Sequence, residues 1–200
     1  MAERVYGLPP VFAADARVLV LGSMPGVQSL ALQEYYAHPR NAFWPIVARC
    51  CGFAPDLPYA ARLPQVVAAK IALWDVVGSC IRTGSLDAAI EADSVQANPL
   101  AELWAACPGL ATVLCNGATA HRLFVAGRFG EALGVAPGGG RWRLAAGREV
   151  HVERLPSTSP AHAGMSRDAK FAVWQQALLR AGAAILPAAR TPADRGRTAP

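Results

Sequence analysis

The chain has 200 residues, of which 53% are hydrophobic, and a formal net charge of +5. This composition predicts one globular domain with a sizeable core and argues against disorder over most of the chain. The first ten residues lack the apolar segment of a secretory signal, and no run approaches the roughly 18 apolar residues of a membrane span. We therefore expect a cytoplasmic protein with no membrane partner.

Cysteine spacing and net charge restrict the kinds of binding site that the chain can contain. The five cysteines include no C-x-x-C pair, which disfavours a zinc or iron–sulfur site, and we expect no metal or other cofactor. The positive charge permits nucleic-acid binding without requiring it. Residues 183–200 are mostly Ala, Pro and Arg, so we predict a domain over 1–182 and a flexible tail after it.

The predicted elements alternate between short apolar strands and helices. Strands are predicted at 17–21, 71–77, 110–115 and 150–155, and helices at 29–36, 42–51, 64–69, 85–92, 99–106, 118–125 and 166–180. Residues 78–87 read as a loop and 134–140 as a glycine-rich turn, and the polar alternation of the fourth strand predicts a sheet edge. Strand–helix alternation predicts an α/β fold with a mainly parallel sheet and helices on both faces.

Polar residues follow the predicted strands where each strand ends. The loop Gly22-Ser23-Met24-Pro25-Gly26 follows the first strand, Asp75 lies near the end of the second, Asn116 follows the third, and residues 156–160 follow the fourth. Ligands of such sheets bind at the carboxyl ends of the strands, so these residues are predicted to share one pocket, with 41–44 as a further wall. The loop glycines allow close approach of a ligand, and free backbone N–H groups suit an anion.

Several candidates also have a purely structural interpretation. Asn41 could cap the helix that follows it, or its amide could hold a water or read a base edge. Phe43 and Trp44 could belong to the core or stack on a base. Asn116 could start a turn or hydrogen-bond a planar heterocycle. Both interpretations stay open for each of these residues.

The same holds for the polar residues placed near the predicted pocket. They could be solvated or satisfy local backbone groups, or they could contact the phosphodiester backbone of DNA. This group comprises His38, Arg40, Ser157, Thr158, Ser159 and His162, and the apolar Met165 just beyond them would then lie against the nucleic acid. Asp87 and Glu91 lie one helical turn apart, and a solvated helix face explains them. The GSMPG loop matches neither the dinucleotide fingerprint nor the P-loop.

Five blocks in order identify a family resemblance. LVLGSMPG, YYAHPRNAFW, LWDVVGSCIRTGSLD, VLCNGATA and LPSTSPAHA resemble the hypoxanthine-DNA glycosylase (DNA-deoxyinosine glycosylase) family of the uracil-DNA glycosylase superfamily, over residues 6–181. The resemblance implies a three-layer α/β/α domain with a four-stranded, mainly parallel central sheet. It implies a monomeric enzyme that flips out a deaminated base and leaves an abasic site in base excision repair, with DNA containing hypoxanthine, uracil or xanthine as the partner.

The resemblance also assigns roles. Asn41 would activate the attacking water, and Ser23 takes the catalytic position of the first loop. The implied base-binding residues are Gly22, Met24, Pro25, Gly26, Phe43, Trp44 and Asn116, and the seven polar and rim residues named above would contact DNA, with Met165 or a neighbour filling the gap left by the base. No lysine stands in these motifs, which predicts hydrolysis without strand cleavage. The alternatives are an enzyme for uracil or mismatched thymine and a non-catalytic damaged-DNA-binding module.

Overall fold

A computed structural model of the chain describes residues 3–125, 135–136, 141–144 and 149–184. Its strands are β1 (Arg4–Tyr6), β2 (Val18–Gly22), β3 (Ile71–Asp75), β4 (Val77–Ile81), β5 (Gln96–Ala97), β6 (Thr112–Asn116), β7 (Val135–Ala136), β8 (Arg141–Leu144) and β9 (Glu149–Leu155). Its α-helices are α1 (Val27–Leu32), α2 (Phe43–Cys51), α3 (Tyr59–Ala68), α4 (Leu100–Ala106), α5 (Ala118–Val125) and α6 (Arg167–Arg180).

The main sheet has the strand order β3-β2-β6-β9-β8-β7. Its first four strands are parallel, and every residue of β2 is buried, as expected for a central strand covered on both faces. The predicted α/β fold with a four-stranded parallel sheet is confirmed. The predicted edge position of β9 is wrong, because β8 pairs with it antiparallel. The alternation in β9 reflects one poorly covered face, with His151 exposed and Val150 and Val152 buried.

Helices cover the two faces of the sheet and form two cores. Alternate residues of a strand point to opposite faces. Accordingly Val18 and Val20 pack with side chains of α2, α3 and α6, whereas Leu19 and Leu21 pack with α4 and α5. This arrangement is the three-layer α/β/α architecture, and it leaves the carboxyl ends of the parallel strands uncovered by these helices.

A second, three-stranded sheet in the order β1-β4-β5 was not predicted. The second strand was predicted to run through Val77, but β3 ends at Asp75 and the chain turns at Val76 into β4. The prediction of a loop over 78–87 is therefore wrong for its first four residues. Gly78 lowers the local strand propensity, and pairing of β4 with β1 and β5 overrides it.

Helix boundaries also differ from the predictions at three places. Helix α1 spans 27–32 because Gln33 adopts a left-handed φ of 54°, which ends it. Helix α3 begins at Tyr59 and contains Pro64, which was predicted to start it. The predicted helix at 85–92 is instead two 3₁₀ turns, Asp87–Ala89 and Ala92–Ser94.

The C-terminal helix agrees with its prediction, and the chain stays packed slightly beyond it. The Ser166 hydroxyl accepts a hydrogen bond from Ala169 N–H and caps α6. Ala183 is buried, and Ala184 N–H donates to Ala69 O, so the packed domain passes the predicted boundary at 182. The rest of the predicted tail lies outside the described residues, as does most of the predicted turn at 134–140. Within the described part of the chain, no helix is long and apolar enough to cross a membrane.

Candidate active site

The four parallel strands end at one cavity of about 790 Å³. Its size lies within the range of small-molecule sites. The structure therefore brings together the strand ends that the sequence predicted to converge. The lining comprises residues 22–26, 38, 40, 41, 75, 85–88, 116–119 and 157–162, together with Gln28, Ser29, Tyr35 and Tyr36.

The first loop is fixed by the chain that follows β3. Val76 N–H donates to Gly22 O at 2.9 Å and Val77 N–H donates to Ser23 O at 3.0 Å. Behind the loop, the buried Arg82 donates from Nη2 to Pro25 O. Among the described residues, the N–H groups of Met24 and Gly26 have no hydrogen-bond partner. The loop therefore has a fixed backbone and two N–H groups left for a ligand.

Position 22 must be a glycine because Asp75, its neighbour in the sheet, leaves no space for a Cβ. Gly22 pairs with Asp75 across β2 and β3, and a Cβ at Gly22 would lie 2.1 Å from Asp75 Oδ1. Asp75 is 3% exposed, and its Oδ2 has no hydrogen-bond partner. Burial, followed by the negative charge of Asp87, raises the pKa of Asp75 from 3.8 to about 7, against the opposing effect of Arg82. The sequence placed Asp75 at the pocket but gave it no role.

Asp87 is a site residue that the sequence analysis missed. Its carboxylate accepts the Ser23 hydroxyl at 2.8 Å, and both residues line the cavity. The interpretation of Asp87 as part of a solvated helix face is wrong, because residues 85–92 form no α-helix and the 3₁₀ turn points it at the first loop. Ser23 lies in the cavity as predicted, with its hydroxyl held by Asp87.

Asn41 occupies the cavity wall and, from the position before the N-cap Ala42, also accepts a hydrogen bond from the start of a helix. Its Oδ1 accepts the Phe43 N–H at 3.0 Å, and this N–H is the first of helix α2. Asn41 N–H in turn donates to His38 O at 2.8 Å, which closes a tight turn. An amide oxygen has two lone pairs, so the capping bond leaves one for a water. The prediction that Asn41 is the N-cap is therefore wrong by one residue, although its side chain does bond the helix start, and its contact with a water stays a prediction.

Two tyrosines, Tyr35 and the more exposed Tyr36, line the cavity, and the sequence analysis selected neither. Phe43 is fully buried beneath Tyr36, with the two ring centroids 3.9 Å apart and the planes inclined by 27°. Trp44 is 4% exposed, and its Nε1 donates to Tyr35 O at 2.7 Å. The prediction that Phe43 and Trp44 stack directly on a base is wrong, because Tyr36 covers Phe43 and Trp44 lies in the core. The Tyr-Tyr pair ahead of the H-P-R-N block was the available signal.

Asn116 and Thr158 join two walls of the cavity. Asn116 Nδ2 donates to Thr158 Oγ1 at 2.8 Å, and Thr158 N–H donates to Asn116 Oδ1 at 2.9 Å. Thr158 O then accepts the N–H of Ala42 at 2.9 Å. Thr158 is 1% exposed, so the predicted DNA contact of this residue is wrong. Asn116 keeps its place in the cavity lining, and its contact with a base edge stays a prediction.

The remaining predicted DNA contacts lie around the cavity, with one exception. His38, Arg40, Ser157, Ser159 and His162 belong to its lining. Ser157 Oγ accepts Ser159 N–H at 3.2 Å, which is the local backbone role that the sequence left open. The exception is Met165, which is 37% exposed and lies outside the lining.

Comparison with known proteins identifies the class to which this fold and cavity belong. The family model of the uracil DNA glycosylase superfamily matches residues 9–180. The solution NMR structure of a candidate uracil DNA glycosylase from Methanosarcina acetivorans superposes with a TM-score of 0.68 and 26% identity, over 90% of this chain and 99% of that one. The chain thus has the uracil-DNA glycosylase fold and is a member of that superfamily.

Two relatives narrow the assignment within the superfamily. The hypoxanthine DNA glycosylase of Methanosarcina barkeri is 36% identical over 112 residues, which are 56% of this chain and 70% of that protein. The hypoxanthine DNA glycosylase of Methanosarcina acetivorans is 33% identical over the same shares. The chain belongs to the hypoxanthine-DNA glycosylase family and is a DNA glycosylase, which confirms the resemblance drawn from the five sequence blocks.

Proposed function

We propose that this chain removes deaminated bases from DNA, hypoxanthine foremost, by hydrolysing the N-glycosidic bond with a water held by Asn41. The observation that carries the proposal is the position of Asn41 in the wall of a 790 Å³ cavity built at the ends of four parallel strands. The names of the two relatives support hypoxanthine as substrate. Uracil and xanthine are secondary candidates, since small differences in pocket contacts decide specificity.

The base must leave the duplex to reach the cavity. Flipping costs a few kcal/mol and is cheapest for a mispaired base such as hypoxanthine. Within the cavity, the ring of Tyr36 offers a stacking surface that is itself supported by Phe43. Arg40 and the 157–162 segment border the same opening and would contact the phosphodiester backbone. The enzyme acts as a monomer in this proposal.

Asn41 would act on the water through its free lone pair. The capping bond from Phe43 N–H fixes the Asn41 side chain, so its oxygen is preorganised before substrate binds. The water attacks C1′ as the C1′–N9 bond breaks, through an oxocarbenium-like state. The bonding electron pair leaves with the base, and the proton released by the water passes to solvent. Charge on the departing base would be stabilised by the unpartnered N–H groups of Met24 and Gly26 in the first loop.

The reaction is expected to stop at the abasic site. Strand cleavage by a glycosylase of the lyase type requires an amine that forms a Schiff base with the sugar. No lysine is present among the described residues that line the cavity. Lys170 lies behind the 157–162 segment, where its Nζ donates to His162 O at 2.8 Å. The proposed activity is therefore hydrolysis alone.

The test uses end-labelled duplexes that carry one deoxyinosine or one deoxyuridine, with strand breaks counted with and without alkali. The wild type should yield alkali-dependent product from deoxyinosine. Asn41→Ala should lower the single-turnover rate by about 10²–10³, which is the usual effect of losing one preorganised group. Alkali-independent product would contradict the hydrolytic assignment.

Loss of the helix cap needs its own control, because Asn41→Ala also removes the bond to Phe43 N–H. Ser166→Ala removes the cap of α6, away from the cavity, and should cost a similar amount of stability, about 1 kcal/mol. Excision by Ser166→Ala should match the wild type. If the two variants lose activity equally, Asn41 acts only as a cap. If product forms mainly from deoxyuridine, the proposed reaction would stand and uracil would replace hypoxanthine as the preferred substrate.

A further inference from the structure

Two buried polar side chains border the same small region of the cavity. Asp75 Oδ2 is buried without a hydrogen bond, and the buried Tyr36 hydroxyl has Asn116 as its hydrogen-bonding neighbour. The point where a Cβ of Gly22 would stand lies 2.1 Å from Asp75 Oδ1 and 3.5 Å from the Tyr36 hydroxyl. Folded proteins rarely leave a buried carboxyl oxygen unsatisfied. The placement of Asp75 in the lining of a cavity indicates that a polar ligand completes it.

The charges around Asp75 favour its neutral form. The ionisable groups that face it are Asp87, Arg82, Tyr35 and Tyr36. Asp87 is half-buried and accepts the Ser23 hydroxyl, and its negative charge disfavours ionisation of Asp75. Asp75 is desolvated and accepts no hydrogen bond at Oδ2, and two carboxylates close together do not both ionise readily.

A neutral carboxyl group has the hydrogen-bonding pattern that a deaminated base requires. It offers one O–H donor and one C=O acceptor side by side. The lactam edge of hypoxanthine presents the complement, the C6=O acceptor next to the N1–H donor. A carboxylate has no donor and would face the C6=O oxygen with negative charge.

We propose that Asp75 binds the flipped base as a neutral carboxylic acid, donating to the lactam C=O and accepting the lactam N–H. This inference rests on the proposed function and adds a specificity-determining residue to it. Uracil and xanthine carry the same lactam group, so Asp75 would serve all the deaminated bases. The lactam group of the base would also supply the missing hydrogen-bond partner of Asp75 Oδ2.

The test compares the wild type, Asp75→Asn and Asp75→Ala in single-turnover excision from a deoxyinosine duplex between about pH 5.5 and 9. Because ionisation removes the donor, the wild-type rate should fall about tenfold per pH unit above about 7. Asp75→Asn keeps a donor beside an acceptor without titrating, so it should stay within about fivefold of the wild type at low pH and lose the alkaline fall. Asp75→Ala should be about 10²-fold slower throughout.

Three results would overturn the inference. The first is that Asp75→Asn excises the base as slowly as Asp75→Ala does while both variants are fully folded at the assay temperature. The second is an alkaline fall in rate that persists in Asp75→Asn, which would assign the titration to a group other than Asp75. The third is wild-type excision with no pH dependence above neutrality. Absence of any wild-type product would instead refute the proposed function and this inference together.

Discussion

Replacing Asp75 by Asn should stabilise the fold, and more so at alkaline pH. Asp75 is buried with an unpartnered Oδ2, and folding raises its pKa from 3.8 to about 7. The native state therefore binds this proton more tightly than the unfolded chain does. The contribution of the proton to stability is complete below about pH 4 and is lost as the pH rises through about 7. An Asn at this position does not titrate and avoids that loss.

The magnitude follows from the size of the pKa shift. At about 1.4 kcal/mol per pKa unit, the wild type loses about 2 kcal/mol by pH 5 and about 4 kcal/mol by pH 8. The advantage of Asp75→Asn should therefore grow by about 2–3 kcal/mol between these two pH values. For a domain of this size that corresponds to about 5–10 °C in melting temperature.

The assay is urea unfolding of both proteins at each pH, followed by tryptophan fluorescence. Asp56→Asn is the matched control, since Asp56 is exposed and its substitution should change stability equally at the two pH values. An advantage of Asp75→Asn that stays constant with pH, or a variant that is less stable at alkaline pH, would refute the argument that burial keeps this carboxyl neutral.

Three further predictions concern the cavity. Gly22→Ala should destabilise the protein by about 1–3 kcal/mol in urea unfolding, because the added Cβ would lie 2.1 Å from Asp75 Oδ1. Combining it with Asp75→Ala removes this clash and should restore most of the lost stability. Tyr36→Leu should lower the single-turnover excision rate by about 10-fold or more, because the stacking ring is lost. Tyr36→Phe keeps the ring and should retain most of the wild-type rate. Equal excision rates for the two variants would exclude a stacking role. Binding to undamaged duplex should weaken with salt, with a log–log slope of about −0.9 per phosphate contact, and a flat response would contradict DNA backbone binding.

The parallel sheet was predictable because its strands are short apolar runs that end in glycine or polar residues. Burial of such a strand on both faces leaves a continuous hydrophobic signal, as in β2. The rule that ligands bind at the carboxyl ends then located the cavity without its side-chain contacts. The antiparallel sheet was not predictable, since the pairing of β4 with β1 joins segments about 75 residues apart and β4 contains a glycine.

The site was predictable in outline and not in the partners of each side chain. Asp87 reaches Ser23 only because residues 85–92 fail to form a helix, a tertiary outcome that the capping signal at Ser85 contradicts. Ser85 instead accepts a hydrogen bond from Val27 N–H across the rim of the cavity. The choice of Phe43 over Tyr36 as stacking residue failed because sequence order does not say which of two stacked rings lies outermost.

Thr158 links the Asn116 side of the cavity to the Asn41 side through hydrogen bonds. Its backbone N–H and hydroxyl hold Asn116, and its carbonyl holds the N–H of Ala42, the residue after Asn41. A displacement of the 157–162 segment by a bound phosphodiester would therefore be transmitted to Asn41 through Thr158. We therefore predict that contacts made by the 157–162 segment and the position of Asn41 are coupled, so that substitutions on the two sides of Thr158 should show non-additive effects on turnover.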